Sequence, residues 1–527
     1  MTVFGNDLLK LVRKMLCNLY KVGLMMKISI FLGVLLSLMV SACGGSTSSS
    51  KLTPSSSSEA AAAKASFNQA NGWVTDADGH VIIFHGFNMV AKETPYTLES
   101  VGFDDDDGAF LAEHGFNAIR LGFMWKAAEP EPDQFNEGYL NSIERTVNAL
   151  GKHKVLTLLD FHQDAYNEAV EGQGFPDWTV YDDGIPWLPL IPKEAQLVYQ
   201  RVWDNFWANK QGVNNTRLWD HFANFWQHIA TRFRNNPNIL GYDLMNEPWP
   251  GLQTPLCLNP LVCPHNDTLS KFYGDVIPKI RQYDANTPFY YEGSLLAGGG
   301  MALDIDIKDP NTVLSFHNYC LLTVVGAIAG IPTPKFVGDL TCPELEKLTF
   351  DNSITQAQTQ GHPAVLTEFG SVPDLDAVER VAKQADDYKV GWMHWTYFNT
   401  GTTNFPGTPS LVLDPSKAPT TDNINTELLK VLSRPYPQKT AGTPVKWDFD
   451  SDSKVFDMSY TTLRADGAGS FEKGGETTIF VPKLHYPNGY KVSVTGGNVI
   501  SEANAPYAVI TANNGASQVA VKIEPRL

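Results

Sequence analysis

Between residues 81 and 398, eight short runs of apolar or β-branched residues recur, each followed by a stretch long enough to hold a helix. They span 81–87, 117–123, 155–162, 239–246, 288–293, 313–319, 364–369 and 391–398. Strands buried on both faces of a parallel sheet have to be almost continuously apolar, and these runs are. Alternating strand and helix signals select the α/β class, and eight successive units select closure into a (β/α)8 TIM barrel. Helices over 138–152 and 218–233 would cover its outer face. A barrel needs about 250 residues or somewhat more with insertions, so a 527-residue chain has room for another module.

That module follows Pro444, where helical patterns stop. Alternating runs at 477–481, 491–494, 507–511 and 518–523, with Gly and Asn turns between them, predict an all-β sandwich. The expected division is a catalytic barrel over 67–440 and a β-sandwich over 441–527. Twelve Trp, 19 Tyr and 28 Phe supply a packed core and leave aromatics for a ligand cleft. A formal charge of −17 repels phosphate backbones, which argues against nucleic acid as a partner.

The N-terminus carries an address. After Met26 and Lys27 an apolar stretch, 28–40, ends in Val40-Ser41-Ala42-Cys43. It is too short for a membrane span, which needs about 20 residues, and it resembles a bacterial lipoprotein signal. The resemblance implies export, cleavage before Cys43 and lipidation of that cysteine, hence a lipid-anchored cell-envelope protein associated with a membrane. Residues 1–25 precede this signal with Arg13, Lys14 and Lys21; an extended charged region and an upstream start codon both explain them. Residues 44–66, rich in Ser and Ala, form a low-complexity tether. Cys257, Cys263, Cys320 and Cys342 remain, an even number in an exported chain. Each neighbouring pair closes a short loop, so Cys257–Cys263 and Cys320–Cys342 are candidate disulfides, although four cysteines permit three pairings. Zinc is the rival use, but no CxxC spacing is present.

Most of the predicted strands end in a polar or aromatic residue: Arg120, His162, Asn246 with Glu247, His317 with Tyr319, Glu368 and Trp395. Barrel enzymes keep their chemistry at those ends. An unpaired charge there would cost several kcal/mol, so a ring of such residues has a purpose other than stability. Cleaving a glycosidic bond with retention needs two carboxyl groups about 5–5.5 Å apart, one protonating the leaving oxygen and one attacking the anomeric carbon. Glu247 and Glu368 are the candidates. Asn246 beside Glu247 suits the sugar 2-hydroxyl, whereas Arg120 and Tyr319 would hold Glu368 as an anion, which makes Glu247 the acid/base and Glu368 the nucleophile. No metal or organic cofactor is required.

Leu244-Met245-Asn246-Glu247-Pro248 resembles the acid/base motif of glycoside hydrolase family five, and Leu366-Thr367-Glu368-Phe369-Gly370 resembles its nucleophile motif. Arg120, His162, His317, Tyr319 and Trp395 fall where that family places supporting residues. Within the family the closer likeness is to endoglycoceramidases, carried by His85-Gly86-Phe87-Asn88 with Lys92, by Asp160-Phe161-His162-Gln163-Asp164, by Asp243 to Gly251, and by Arg434-Pro435-Tyr436-Pro437 leading to Ala441-Gly442-Thr443-Pro444. The resemblance implies sugar contacts from Lys92, Asp160, Trp178 and Trp395. Trp178 as core, Lys92 as a solvated charge, and Asp164 as either a third carboxylate or a loop cap stay open.

A glycosphingolipid substrate would need apolar surface near the carboxyl pair, since each buried methylene contributes about 0.8 kcal/mol. Two apolar, Pro/Gly-punctuated insertions, 184–192 and 321–334, offer it. The resemblance thus implies hydrolysis between oligosaccharide and ceramide. An endo-β-1,4-glucanase or a steryl or other lipid β-glucosidase would use the same catalytic pair, and a non-catalytic surface glycan-binding lipoprotein is the alternative of another class. Neither the accepted head groups nor the oligomeric state is written in the sequence.

Overall fold

The computed structural model describes residues 67–259, 261–328, 333–399, 409–471 and 475–526. Cys43, the signal region and the tether lie outside them. Lys193–Ala195 forms a 3₁₀ turn.

Eight parallel strands close into a barrel: β1 (His85–Val90), β2 (Ala118–Phe123), β3 (Leu156–Phe161), β4 (Ile239–Asp243), β5 (Phe289–Tyr291), β6 (Thr312–Asn318), β7 (Ala364–Phe369) and β8 (Trp392–His394). Each pairs with the next and β8 returns to β1, so no edge is left bare. Near the strand starts the interior holds Phe84, Ala118, Leu158, Leu240, Tyr290, Val313, Val365 and Met393, with Phe67 and Val74 packed into the same cluster. Outside, helix α1 (Glu137–Lys152) shows how the cover forms. Asn136 caps it by accepting the Tyr139 N–H, and Tyr139, Leu140, Ile143, Val147 and Leu150 recur every three or four residues on the buried face. Each such side chain contributes about 1.5–3 kcal/mol when fully buried. Helix α2 (Leu218–Phe233) covers the barrel in the same way.

The first strand departs from expectation. Val81–Ile82 is not the start of β1 but a separate short strand, and β1 begins at His85. Val81–Ile82 pairs instead with β9 (Tyr436–Thr440), in a sheet that also holds Phe67–Ala70 and Trp73–Asp76 on one side and β12 (Glu476–Phe480), β15 (Tyr507–Ala512) and β14 (Gly497–Val499) on the other. A second sheet contains β10 (Thr443–Asp450), β11 (Val455–Thr461), β16 (Gln518–Pro525) and β13 (Tyr490–Thr495). The division at residue 440 is therefore corrected: residues 67–82 and 436–440 belong to the sandwich. Its core alternates with period two, as Phe456, Met458 and Tyr460 on β11 face Val519, Val521 and Ile523 on β16.

The joint between sandwich and barrel is polar as well as apolar. Trp447 donates its indole N–H to Asp386 Oδ1 at 2.7 Å, and Arg434 Nη2 lies 3.0 Å from Asp386 Oδ2. Tyr436 donates to the Gly115 carbonyl at 2.6 Å and stacks on His85. Burial raises the Asp386 carboxyl to about 6 against the pull of Arg434. The Arg434-Pro435-Tyr436 stretch thus works as a brace.

Both candidate disulfides are present, Cys257–Cys263 and Cys320–Cys342. In the chain-entropy account, the second, across a separation of 22 residues, contributes roughly 3 kcal/mol by restricting the unfolded chain. It ties the loop after β6 to helix α3 (Lys335–Gln360). The insertion 321–334 begins with the helix Leu321–Ile328, and its residues 329–332 fall outside the described set.

Candidate active site

Neighbouring strands and the loop after β5 bring one arginine and four carboxyl groups together. Arg120 on β2 pairs with Asn88 on β1, Asp160 on β3 pairs with Asp243 on β4, and Glu368 on β7 pairs with His317 on β6. Arg120 is fully buried and uses every face of its guanidinium. Nε donates to Asp243 Oδ2 at 2.9 Å; Nη1 donates to Glu368 Oε1 at 2.6 Å and to Asn88 Oδ1 at 3.2 Å. Nη2 donates to Asp160 Oδ1, Asn246 Oδ1 and Glu292 Oε1 at 3.0, 3.0 and 2.8 Å. One cation cannot neutralise four buried carboxylates, so protons are retained among them. Burial raises Asp160 to about 7 and Glu292 to about 8, and lifts Asp243 as well, although Arg120 pulls all three down.

Glu247 and Glu368 face each other across this nest. An oxygen of each, together with a ring nitrogen of His317, falls within a mutual distance of 4.8 Å. His317 Nδ1 lies 2.8 Å from Glu247 Oε1 and 3.5 Å from Glu368 Oε2. Tyr319 donates its hydroxyl to Glu368 Oε2 at 3.0 Å, so with Arg120 both oxygens of Glu368 accept hydrogen bonds. Burial raises the Glu368 carboxyl above its ordinary range, with the charges of His317 and Arg120 opposing. Glu247 sits at a left-handed backbone position, φ +43°, where its side chain projects from the end of β4.

The remaining predicted residues divide. Asn246 donates to the Gln163 carbonyl at 3.0 Å, one of two N–H donors an amide carries. His162 lies with Nδ1 2.8 Å from Asp160 Oδ2, and burial lowers its pKa to about 3, so it is neutral and donates to that carboxylate. Lys92, Asp164, His162 and Trp395 form a connected group. Lys92 donates to Asp164 Oδ2 at 2.7 Å and lies 4.7 Å from the Trp395 ring centre, and His162 stacks on the same ring. Burial alone would raise Asp164, but the charge and hydrogen bond of Lys92, with a further hydrogen bond from Gln173, hold it well below the usual carboxylate range. Asp164 is thus an ionised carboxylate beside the catalytic pair and Lys92 a paired cation, not a solvated one. Trp178 is not brought to this ring. It packs edge-on against Trp125 and His221 and directs its indole N–H to the Glu129 carbonyl at 3.4 Å, which is core packing.

Two members of the nest were missed from sequence: Asp243 and Glu292. Glu292 follows β5, one of two strands for which no terminal polar residue had been counted, although it is the penultimate residue of the run 288–293.

A cavity of about 410 Å³ borders Tyr319, Gly370, Thr323 and the Cys320–Cys342 bridge. Its wall mixes Val372, Leu375 and Val378 with Lys335, Asp374 and Arg380, so it is less apolar than the insertion pattern led one to expect.

A closed parallel barrel presenting two facing carboxyl groups at the ends of β4 and β7, this close together, defines a glycoside hydrolase that works with retention. Residues 75–401 match "Cellulase (glycosyl hydrolase family 5)" and residues 434–524 match "Glycoside hydrolase family 5 C-terminal domain". The chain belongs to glycoside hydrolase family 5. It is 30% identical to endoglycoceramidase I of Rhodococcus hoagii (strain 103S) over 467 residues, covering 86% of this chain and 87% of that one. It is 28% identical to an endoglycoceramidase of Hydra vulgaris, covering 84% and 85%. A solved structure of endo-glycoceramidase II from Rhodococcus sp., in complex with a five-membered iminocyclitol, superposes with a TM-score of 0.70 at 25% identity, covering 86% of this chain and 100% of that one.

Proposed function

We propose that this chain is a retaining endo-β-glycosidase that hydrolyses the linkage between oligosaccharide and ceramide in glycosphingolipids. The observation that carries the reaction type is the facing pair Glu247 and Glu368, with both oxygens of Glu368 held by Arg120 and Tyr319. The likeness to endoglycoceramidases over most of the chain supports the substrate. Glu368 attacks the anomeric carbon while Glu247 gives its proton to the departing oxygen, so the carbon–oxygen bond breaks and a glycosyl ester of Glu368 forms. Water then attacks the same carbon as Glu247 takes its proton, releasing the sugar with its configuration kept and restoring Glu368. Lys92, Asp160, Asp164 and Trp395 line the sugar side. The cavity beside Tyr319 and Gly370 has room for the start of the lipid and polar groups for its amide and hydroxyls.

The discriminating experiment incubates the purified protein with a ganglioside, a glucosylceramide, a steryl glucoside and a soluble β-glucan, with products identified by mass spectrometry. Intact oligosaccharide and ceramide from the ganglioside are expected. Turnover confined to the glucan or to the monoglucosides overturns the substrate and leaves the catalytic pair standing.

We also propose that the mature protein starts at Cys43 and is lipid-anchored in the cell envelope, which the pattern Met26 to Cys43 supports. Cells producing the chain and fed radiolabelled palmitate are expected to label it, and Cys43→Ser to lose the label. Equal labelling of both would remove the anchor from Cys43.

A further inference from the structure

We propose that Glu292 is the positioning residue of Glu247: one carboxylate oxygen holds the Glu247 backbone while the other faces the histidine that meets the Glu247 carboxyl. The inference rests on the acid/base reading of Glu247. Glu292 Oε2 accepts the Glu247 N–H at 2.9 Å, pinning a residue whose backbone lies in the left-handed region. Glu292 Oε1 accepts from Arg120 Nη2 at 2.8 Å and lies 3.4 Å from His317 Nε2. The opposite ring nitrogen, Nδ1, is the one 2.8 Å from Glu247 Oε1. Glu292 is itself clamped: Tyr273 donates its hydroxyl to the Glu292 carbonyl at 2.9 Å and accepts the Glu292 N–H at 3.2 Å. A small cavity of about 10 Å³ is lined by Glu247, Glu292 and His317 together.

The arrangement places a proton donor behind the group that must both lose and regain a proton. Once Glu292 is ionised, the His317 ring keeps a proton on the Nε2 that faces it and turns Nδ1 to Glu247. When Glu247 has given up its proton, an imidazolium can donate from both nitrogens at once, to Glu247 and to Glu292. The charged and titratable groups around the pair are Arg120 from β2, Asp160 from β3, Asp243 from β4, Glu247, Tyr273, Tyr319 and Glu368 from β7. Burial opposes the charge on His317, but Glu292, Glu368 and Glu247 raise its pKa well above the ordinary value. Removing the Glu292 charge lowers it again.

Wild type, Glu292→Gln and Glu292→Asp are compared on lactosylceramide in detergent micelles and on 2,4-dinitrophenyl β-lactoside, whose leaving group needs no proton. For Glu292→Gln, kcat/KM on the glycolipid is expected to fall about tenfold to a hundredfold, and on the aryl glycoside by less than about threefold. The alkaline limb of its glycolipid profile moves to lower pH, because His317 surrenders its proton earlier. Glu292→Asp keeps an ionisable carboxyl, which is charged on the alkaline limb, so its limb stays near that of wild type even where its rate is reduced; it also serves if the Gln variant does not fold. Equal losses on both substrates, or a limb that moves alike in both variants, overturn the role of Glu292. Labelling of wild-type Glu368 by 2,4-dinitrophenyl 2-deoxy-2-fluoro-β-lactoside, read by peptide mass spectrometry, tests the underlying mechanism separately. Absence of label there takes down the catalytic reading itself; label with equal losses takes down only the proposal.

Discussion

Glu368→Gln lowers turnover of the glycolipid by about 10⁴-fold or more while leaving substrate binding largely in place. The amide has the same shape and still accepts from Arg120, which now donates at 2.6 Å to the carboxylate oxygen, but it carries no charge with which to attack. Glu247→Gln behaves differently. Its loss is severe on ceramide glycosides, whose alkoxide leaving group needs a proton, and far smaller for formation of the glycosyl-enzyme from a dinitrophenyl glycoside. The two variants are separated by steady-state kinetics on both leaving groups, with binding followed by calorimetry. A Glu368→Gln enzyme that hydrolyses the glycolipid at the wild-type rate would falsify the assignment of the nucleophile, and matching substrate dependence in the two variants would remove the division of labour.

Arg120→Met costs about 3–5 kcal/mol of stability, a large part of the 5–15 kcal/mol that holds a typical domain folded. Asp160, Asp243, Glu292 and Glu368 all accept hydrogen bonds from this one guanidinium, and without it four buried carboxyls lose their cation. Burial already raises Asp160 to about 7 and Glu292 to about 8, and removing Arg120 raises both further. A group whose folded pKa exceeds its unfolded value contributes stability at low pH and loses it as pH rises through the folded value. The variant should therefore sit closest to wild type near pH 5 and fall further behind towards pH 8, as followed by thermal or urea unfolding across that range. Arg120→Lys retains a charge but not the fork that reaches six acceptors, and is expected to recover only part of the loss. A melting temperature for Arg120→Met unchanged at pH 8 would show that the carboxylates are satisfied without the cation.

The barrel was legible because its strands are buried on both faces and must declare themselves as apolar runs. What such a run cannot declare is its register. Val81-Ile82-Ile83-Phe84 flows without a break into His85-Gly86-Phe87, so nothing in the pattern marks where one sheet stops and another starts. Strands β10 and β11 escaped notice for a related reason: Lys446, Asp448, Asp450 and Asp457 on their outer faces dilute the β signal carried by Trp447, Phe449, Phe456 and Met458. The two glutamates were legible from their motifs, and the cysteines from the short loops they close. Trp178 stayed open because a tryptophan after a strand serves a core or a sugar equally well; its packing against Trp125 and His221 favours core. Glu292 was overlooked although it stands at the end of a recognised strand, because Asp243, Arg120 and His317 give it meaning only once the barrel closes.

The seven-stranded sheet of the sandwich joins segments made at different times. Phe67–Ala70, Trp73–Asp76 and Val81–Ile82 leave the ribosome early, yet the strand that Val81–Ile82 pairs with, Tyr436–Thr440, follows roughly 350 residues later. At about 5–20 residues per second that is a delay of roughly 20–70 s, during which the entire barrel can be synthesised beside an unpaired edge. A chain interrupted before Tyr436 would hold all eight barrel strands and still present that edge to its neighbours. Nascent or truncated chains are thus exposed to edge-to-edge association until the last domain arrives to cover them.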